Sequence, residues 1–261
     1  MSLDRLLTPQ PTGEGTFTQE IPDGWQQGRA AFGGLVLGNL VRAMTARIDD
    51  ERALRSLTGE LFAPVHPGRV EIQVDRLRFG NAVSTLRASL FQERAMMATA
   101  VGVFGSPRMN VEESPLDRVA PPAMPPWREV AVTTIPQGPR FLRHFEIRST
   151  GAGPVSGMAQ AAGWARTTTP CTKRDDAWLV AHADVWWPAY LSELTEPRPM
   201  ATIAFTFQPI GTLAGLSSDD PLFHHGEVLG GRDGYLVEQR QLRGSDGRLV
   251  ALNQQTFVVI K

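Results

Sequence analysis

The chain has 261 residues, of which 42% are hydrophobic and 20% charged, and a formal net charge of −1. That composition supports a sizeable core and argues against wholesale disorder. It also argues against a protein built around phosphate-backbone contacts, which need a basic face. The length suits one large domain or two of ordinary size.

The first residues, Met1-Ser2-Leu3-Asp4-Arg5, lack the basic and then apolar layout of a secretory signal. No apolar run approaches the ~20 residues needed to span a bilayer. The single cysteine, Cys171, allows no intrachain disulfide and suits a reducing compartment. The expectation is a cytoplasmic protein without nucleic-acid or membrane partners.

A loop rich in Gly and Pro opens the first half, and Gly33–Met44 follows with Leu37, Leu40, Val41 and Met44 at helical spacing. Gly34 and Gly38 lie one turn apart on this helix, where another backbone or a ligand can approach. Strand patterns follow at Leu57–Val65, Val70–Leu77, Ser84–Gln92 and Met96–Phe104, with turns at His66-Pro67-Gly68, Phe79-Gly80-Asn81 and Glu93-Arg94. Residues 106–139 then carry eight prolines, among them Pro115, Pro121 and Pro136, and read as an extended linker.

The second half repeats the plan. Phe141–Arg148 and Gly163–Thr169 read as strands, and Asp175–Trp187 as a helix closed by Pro188. Strands follow at Thr202–Pro209, Leu222–Leu229, Gly234–Leu242 and Arg248–Ile260. The halves overlay, with Leu61–Val65 on Thr206–Ile210 and Ala98–Phe104 on Ala251–Phe257, so Gly102 falls opposite Gln255. The expected architecture is α+β: a duplicated unit of one helix wrapped by an antiparallel meander, with modules at 1–108 and 140–261 joined by a linker at 109–139.

These residues resemble a known family. Arg29-Ala30-Ala31-Phe32-Gly33-Gly34, Phe62-x-Pro64, Leu77-Arg78-Phe79-Gly80-Asn81, Ala183-Asp184 and Asp246–Ala251 followed by Gln255 are similar, in that order, to acyl-CoA thioesterase II-like proteins. The resemblance implies a double hot-dog fold, hydrolysis of acyl-CoA, no metal or other cofactor, and assembly into dimers or larger oligomers. In the best-characterised branch an Asp, a Ser or Thr, and a Gln hold the water. Here Ala204 stands at the Asp position, no hydroxyl matches near Glu227–Leu229, and Gln255 alone is kept.

Thioester hydrolysis needs an activated water and donors for the developing oxyanion. Asp184 shares a stripe with Ala177, Val180 and Trp187, the side expected to face inward, where an acid is costly unless paired. It is the candidate base, or else an anchor that orients the helix. Gln255, on the face of Ala251 and Phe257, is a candidate for positioning water, or an interface glutamine. Gly33 and Gly34 start a helix whose N–H groups could polarise the thioester carbonyl; alternatively they permit close packing. Asn39 stands where the family carries a polar amide, and either lines the site or satisfies backbone.

Thr206, pointing opposite to Phe205 and Phe207, and Glu227 are reserve candidates. His224-His225 reads as an exposed pair rather than a metal site. Trp178, Trp186, Trp187 and Tyr190 read as core or as an acyl channel, and Arg76, Arg78 and Arg87 as a solvated face or a CoA phosphate contact. Two rival readings stand beside hydrolysis: a catalytically silent acyl-CoA binding or regulatory protein, and an acyl-CoA hydratase suggested by His182-Ala183-Asp184.

Overall fold

A computed structural model describes residues 2–48, 51–108, 116–136, 138–151, 153–158 and 161–260. The first half runs α1 (Leu3–Leu6), β1 (Gln10–Gly13), β2 (Thr16–Ile21), β3 (Gln26–Gln27), β4 (Ala30–Ala31), α2 (Gly33–Thr45), β5 (Ala53–Leu61), β6 (Gly68–Phe79), β7 (Val83–Gln92) and β8 (Ala95–Gly105). After two short 3-10 turns come β9 (Phe145–Ser149), β10 (Ala161–Thr167), α3 (Asp176–Ala183), α4 (Ala189–Glu193), β11 (Met200–Pro209), β12 (Leu222–Arg232), β13 (Tyr235–Arg243) and β14 (Leu249–Val259).

Twelve strands form one antiparallel sheet in the order β1-β2-β6-β7-β8-β5-β11-β14-β13-β12-β10-β9. The second six strands repeat the first six in mirrored order, joined where β5 pairs with β11. The duplication read from the sequence is therefore a structural one. Both halves carry a register break at the same place: between Leu54 and Ser56 opposite Phe104, and between Thr202 and Ala204 opposite Phe257. Counted from these bulges, Thr58 is the counterpart of Thr206, and the two pair directly across the junction. A local two-fold axis passes between them. The overlay of Leu61 on Thr206 is thus out of register, whereas that of Gly102 on Gln255 agrees with the strand pairing.

α2 packs across β6, β7 and β8 and against α3. A side chain on Gly34 would collide with the Ala181 carbonyl, and one on Gly38 would lie 2.9 Å from that of Ala177. The two glycines thus let the helix backbones meet, as their spacing suggested. With a partner on each side, α2 is buried along nearly its whole length, from Gly34 to Met44.

Several elements depart from expectation. β1 and β2 were not anticipated; β1 is short, polar and exposed, so it carries no alternation to read. Arg140–His144 is a 3-10 turn, and the strand expected from Phe141 begins at Phe145. The helix expected to reach Trp187 stops at Ala183, and a short one starts at Ala189 directly after Pro188, which disfavours helical backbone at Trp187. Of the proline-rich stretch, residues 116–136 run without strand or α-helix, while 109–115, with Pro115, lie outside the described residues. Within it Trp127 packs edge-on to Trp164, and the Trp164 indole N–H donates to the Pro125 carbonyl at 2.8 Å.

Candidate active site

Asp184 is the C-cap of α3, and the antiparallel packing of α2 and α3 brings it to the start of α2. An ideal Cβ on Gly33 would stand 2.8 Å from Asp184 Oδ2 and 3.1 Å from Leu61 Cδ1, so only glycine leaves the carboxylate its place. The helix start is itself pinned: Phe32 N–H donates to the Trp25 carbonyl at 2.8 Å, Ala31 N–H to that of Val65 at 2.7 Å, and Phe32 stacks on Phe141. Leu35 and Val36 N–H both turn back to the Phe32 carbonyl, leaving Gly33 and Gly34 as the outward donors of the first turn.

Asp184 is 8% exposed. Burial pushes its carboxyl up to about 6, against the pull of the Arg240 cation and of hydrogen bonds from the Gln255 amide and the Gly34 N–H. Glu238 adds to the upward push. A carboxylate that titrates near neutrality, beside a helix N-terminus, is equipped to accept a proton from water and return it.

Gln255 is fully buried, and its amide orientation follows from its partners. Its oxygen accepts from the Thr202 hydroxyl at 2.9 Å, and its nitrogen donates to Asn253 Oδ1 at 2.9 Å as well as toward Asp184. Asn253 in turn donates to the Thr206 carbonyl at 2.6 Å. The Gln255 amide thus faces the Asp184 carboxylate from β14. Thr202 and Asn253 were not singled out from the sequence. The bulge at Ile203 turns Thr202 onto the face of Gln255, a change that strict alternation hides.

The other candidates lie elsewhere. Thr206 points to the sheet face opposite Phe205 and Phe207, away from Gln255, and contributes only its backbone carbonyl. Glu227 is exposed, within 3.7 Å of His225. The buried acid of that region is Glu238, paired across the strands with Gln255 and bound to Arg240. The Asn39 amide is taken up by the carbonyls of Leu6 at 3.1 Å and Leu35 at 2.9 Å, so it ties α1 to α2.

His224 is not exposed: it is buried at 3.1 Å from His182, and burial helps push it down to about 3. Trp178, Trp186 and Trp187 are buried around these rings and each other. Arg87 pairs with Asp75 at 2.7 Å, and Arg76 lies over the Phe79 ring. Among the described residues no group of three metal-ligating side chains comes together.

The two-fold counterpart of this site is closed. Gly102 stands where Gln255 stands in the second half, and Met44 and Phe104 crowd the space a side chain would take. Arg42 pairs with Asp175, the N-cap of α3, and Asp176 accepts the Leu54 N–H at 3.0 Å. A cavity of about 340 Å³, lined by Cys171, Thr172, Arg174, Leu213, Leu216 and Ser218 among others, lies just before this end of α3, away from Asp184.

No helix among the described residues is long and apolar enough to cross a membrane. The chain overlays along 99% of its length on a hot dog-fold protein of unknown function from Alicyclobacillus acidocaldarius, covering 98% of that chain at 20% identity and a TM-score of 0.88. It is similarly close to acyl-CoA thioesterase II TesB2 from Mycobacterium marinum, covering 99% of this chain and 98% of that one at 16% identity and a TM-score of 0.77. The tesB protein of Mycobacterium avium subs. paratuberculosis gives 17% identity, the same coverages of 99% and 98%, and a TM-score of 0.80. At such identities these likenesses establish the fold, a double hot-dog. No curated protein matches the chain. Residues 21–105 match the acyl-CoA thioesterase N-terminal domain and residues 115–259 the acyl-CoA thioesterase C-terminal domain, so the chain belongs to the acyl-CoA thioesterase family.

Proposed function

We propose that the protein hydrolyses acyl-CoA thioesters to free acid and CoA, with water activated by Asp184. The observation that carries this reading is the buried Asp184 carboxyl, titrating near 6 at the first turn of α2 and held by Gln255. In the proposed step the carboxylate takes a proton from water as the new C–O bond forms at the thioester carbon. The developing oxyanion lies near the Gly33 N–H, where the helix dipole favours negative charge. As the tetrahedral intermediate collapses, the C–S bond breaks and the proton passes from Asp184 to the leaving thiolate.

We also read residues 1–108 and 140–261 as the two modules, with 109–139 between them. In this reading the protein is cytoplasmic and works as a homodimer or larger assembly, as the resemblance implies. The catalytic apparatus belongs to one of the two pseudo-equivalent ends, because the other has Gly102 and the Arg42–Asp175 pair in its place.

The test is release of free CoA from short-, medium- and long-chain acyl-CoAs, with Asp184→Asn and Gln255→Ala alongside. Release with kcat/KM rising through about pH 6, and cut at least ~100-fold by Asp184→Asn, is expected. A specific observation favours one rival: Ala204 stands at the family's Asp position, and the Gln255 amide is already fully engaged. Thermal stabilisation by acyl-CoA without any release would make the protein a silent binder.

A further inference from the structure

The helix of the second half is interrupted where that of the first half is not. α2 runs unbroken for 13 residues, while α3 ends after 8, with Asp184 leaving the helix at φ −97° and ψ 3° before α4 restarts at Ala189. Both ends of the interruption are gripped by one pair of side chains from β13. Arg240 Nη1 donates to the Ala183 carbonyl at 3.1 Å, and Glu238 Oε2 accepts the Ala189 N–H at 2.6 Å. The pair is closed on itself, Arg240 Nε donating to Glu238 Oε1 at 2.7 Å, with both side chains at most 2% exposed.

A buried ion pair is seldom worth more to stability than apolar packing of the same volume, because desolvation offsets the attraction. The surroundings are nevertheless shaped to keep this one. A side chain on Gly226 of β12 would come within 2.6 Å of Glu238 Oε1, and the Arg240 guanidinium lies over the Phe257 ring. Glu238 is also the direct cross-strand partner of Gln255, so the pair stands beside the amide that holds Asp184.

We propose that Glu238 and Arg240 form a clamp that fixes the break after Ala183, and so hold the Asp184 carboxylate against Gly33 and Gln255, both acting as positioning residues. The proposal rests on the reading of Asp184 as the catalytic acid–base group. Among the described residues this pair supplies the charges that bear on Asp184, in opposite senses: Arg240 draws its proton affinity down and Glu238 raises it. The groups facing it from α2, Gly33 and Gly34, and from β14, Gln255, are uncharged. His182, one half-turn back on α3, is kept neutral by burial. In this clamp Arg240 acts on the carboxyl more strongly than Glu238, which offsets part of its pull.

The test compares Glu238→Gln and Arg240→Lys with the parent in kcat, KM and the pH profile of kcat/KM. Glu238→Gln leaves the Arg240 charge unopposed, so the acidic limb moves to lower pH. Arg240→Lys loses the planar fork that reaches Ala183, so kcat falls roughly 10- to 100-fold at nearly constant KM. Folded variants with an unmoved limb and parental kcat would overturn the clamp.

Should Glu238→Gln fail to fold, the double change Glu238→Gln/Arg240→Gln leaves no lone buried charge. It is expected to show the same fall in kcat, and parental kcat would again overturn the idea. Titration of the Asp184 carboxyl by carbon-13 NMR separates the two levels of inference. If Asp184→Asn keeps full activity, the reading of Asp184 as the acid–base group fails, yet the clamp still requires a lower Asp184 midpoint in Glu238→Gln. An unchanged midpoint refutes it.

Discussion

The Thr202 hydroxyl donates to the Gln255 side-chain oxygen at 2.9 Å, and it reaches that oxygen only because the bulge at Ile203 breaks the alternation of β11. With Asn253 on the other side, this contact leaves the Gln255 amide one orientation, its N–H directed at Asp184. Thr202→Val keeps the branched shape and removes the donor. The Gln255 oxygen then loses its partner and the amide is free to turn. The expected result is a kcat lower by roughly tenfold with KM within about twofold, and about 1 kcal/mol less stability. Thr202→Ser should restore most of the rate. Steady-state kinetics on a folded Thr202→Val protein decide the matter, and an unchanged kcat would detach Thr202 from the site.

Gly33 and Gly34 are neighbours that fail in different ways when given a side chain. At Gly33 the added carbon lies 2.8 Å from Asp184 Oδ2, the movable end of a side chain, so Gly33→Ala displaces the carboxylate while leaving the helix intact. At Gly34 it meets the Ala181 backbone carbonyl and the Phe32 ring, neither of which can yield without parting α2 from α3. Gly33→Ala is expected to lose at least ~30-fold in kcat with little change in stability. Gly34→Ala is expected to lose about 1–3 kcal/mol of stability. Kinetics and chemical denaturation of the two variants test the contrast. Equal losses of stability in both would show that the Gly33 position is a packing site alone.

The parts of this architecture that repeat, or that follow a regular period, were legible in the sequence. The Leu37, Leu40, Val41, Met44 stripe located α2, and the two sets of strand patterns announced a duplication that the sheet order reproduces. Asp184, Gln255, Gly33 and Gly34, picked from separate segments, come together in one place. What escaped depends on departures from period. A one-residue bulge moves Thr202 to the face of Gln255, and pairing across the sheet, which residue types do not reveal, makes Leu61 the counterpart of Pro209, three residues from the overlay on Thr206. In β12, Leu222, Phe223 and His224 are all buried, so alternation could not tell that His224 faces His182. Glu238 and Arg240 were not singled out, since a sequence does not show that an acid and a base two apart are both turned inward.

The raised proton affinity of Asp184 makes a prediction about folding as well as catalysis. Its carboxyl titrates at about 6 in the folded chain against 3.8 for the ordinary group, with burial the main cause. A group whose folded value is raised contributes stability that is complete below about pH 4 and is lost as pH rises through about 6. The loss is bounded by the size of the shift, about 3 kcal/mol. Asp184→Asn does not titrate, so its stability relative to the parent should improve by up to about 3 kcal/mol between pH 4 and pH 8. A constant penalty accompanies this, because the Asn amide sets a donor among the Gln255 and Gly34 donors; it shifts both ends equally and leaves the slope. Urea denaturation of both proteins across that range isolates the Asp184 contribution, since every other titrating group cancels in the difference. A difference that stays flat with pH would mean that Asp184 ionises like an exposed carboxylate, and with that its fitness as a base near neutrality would be gone.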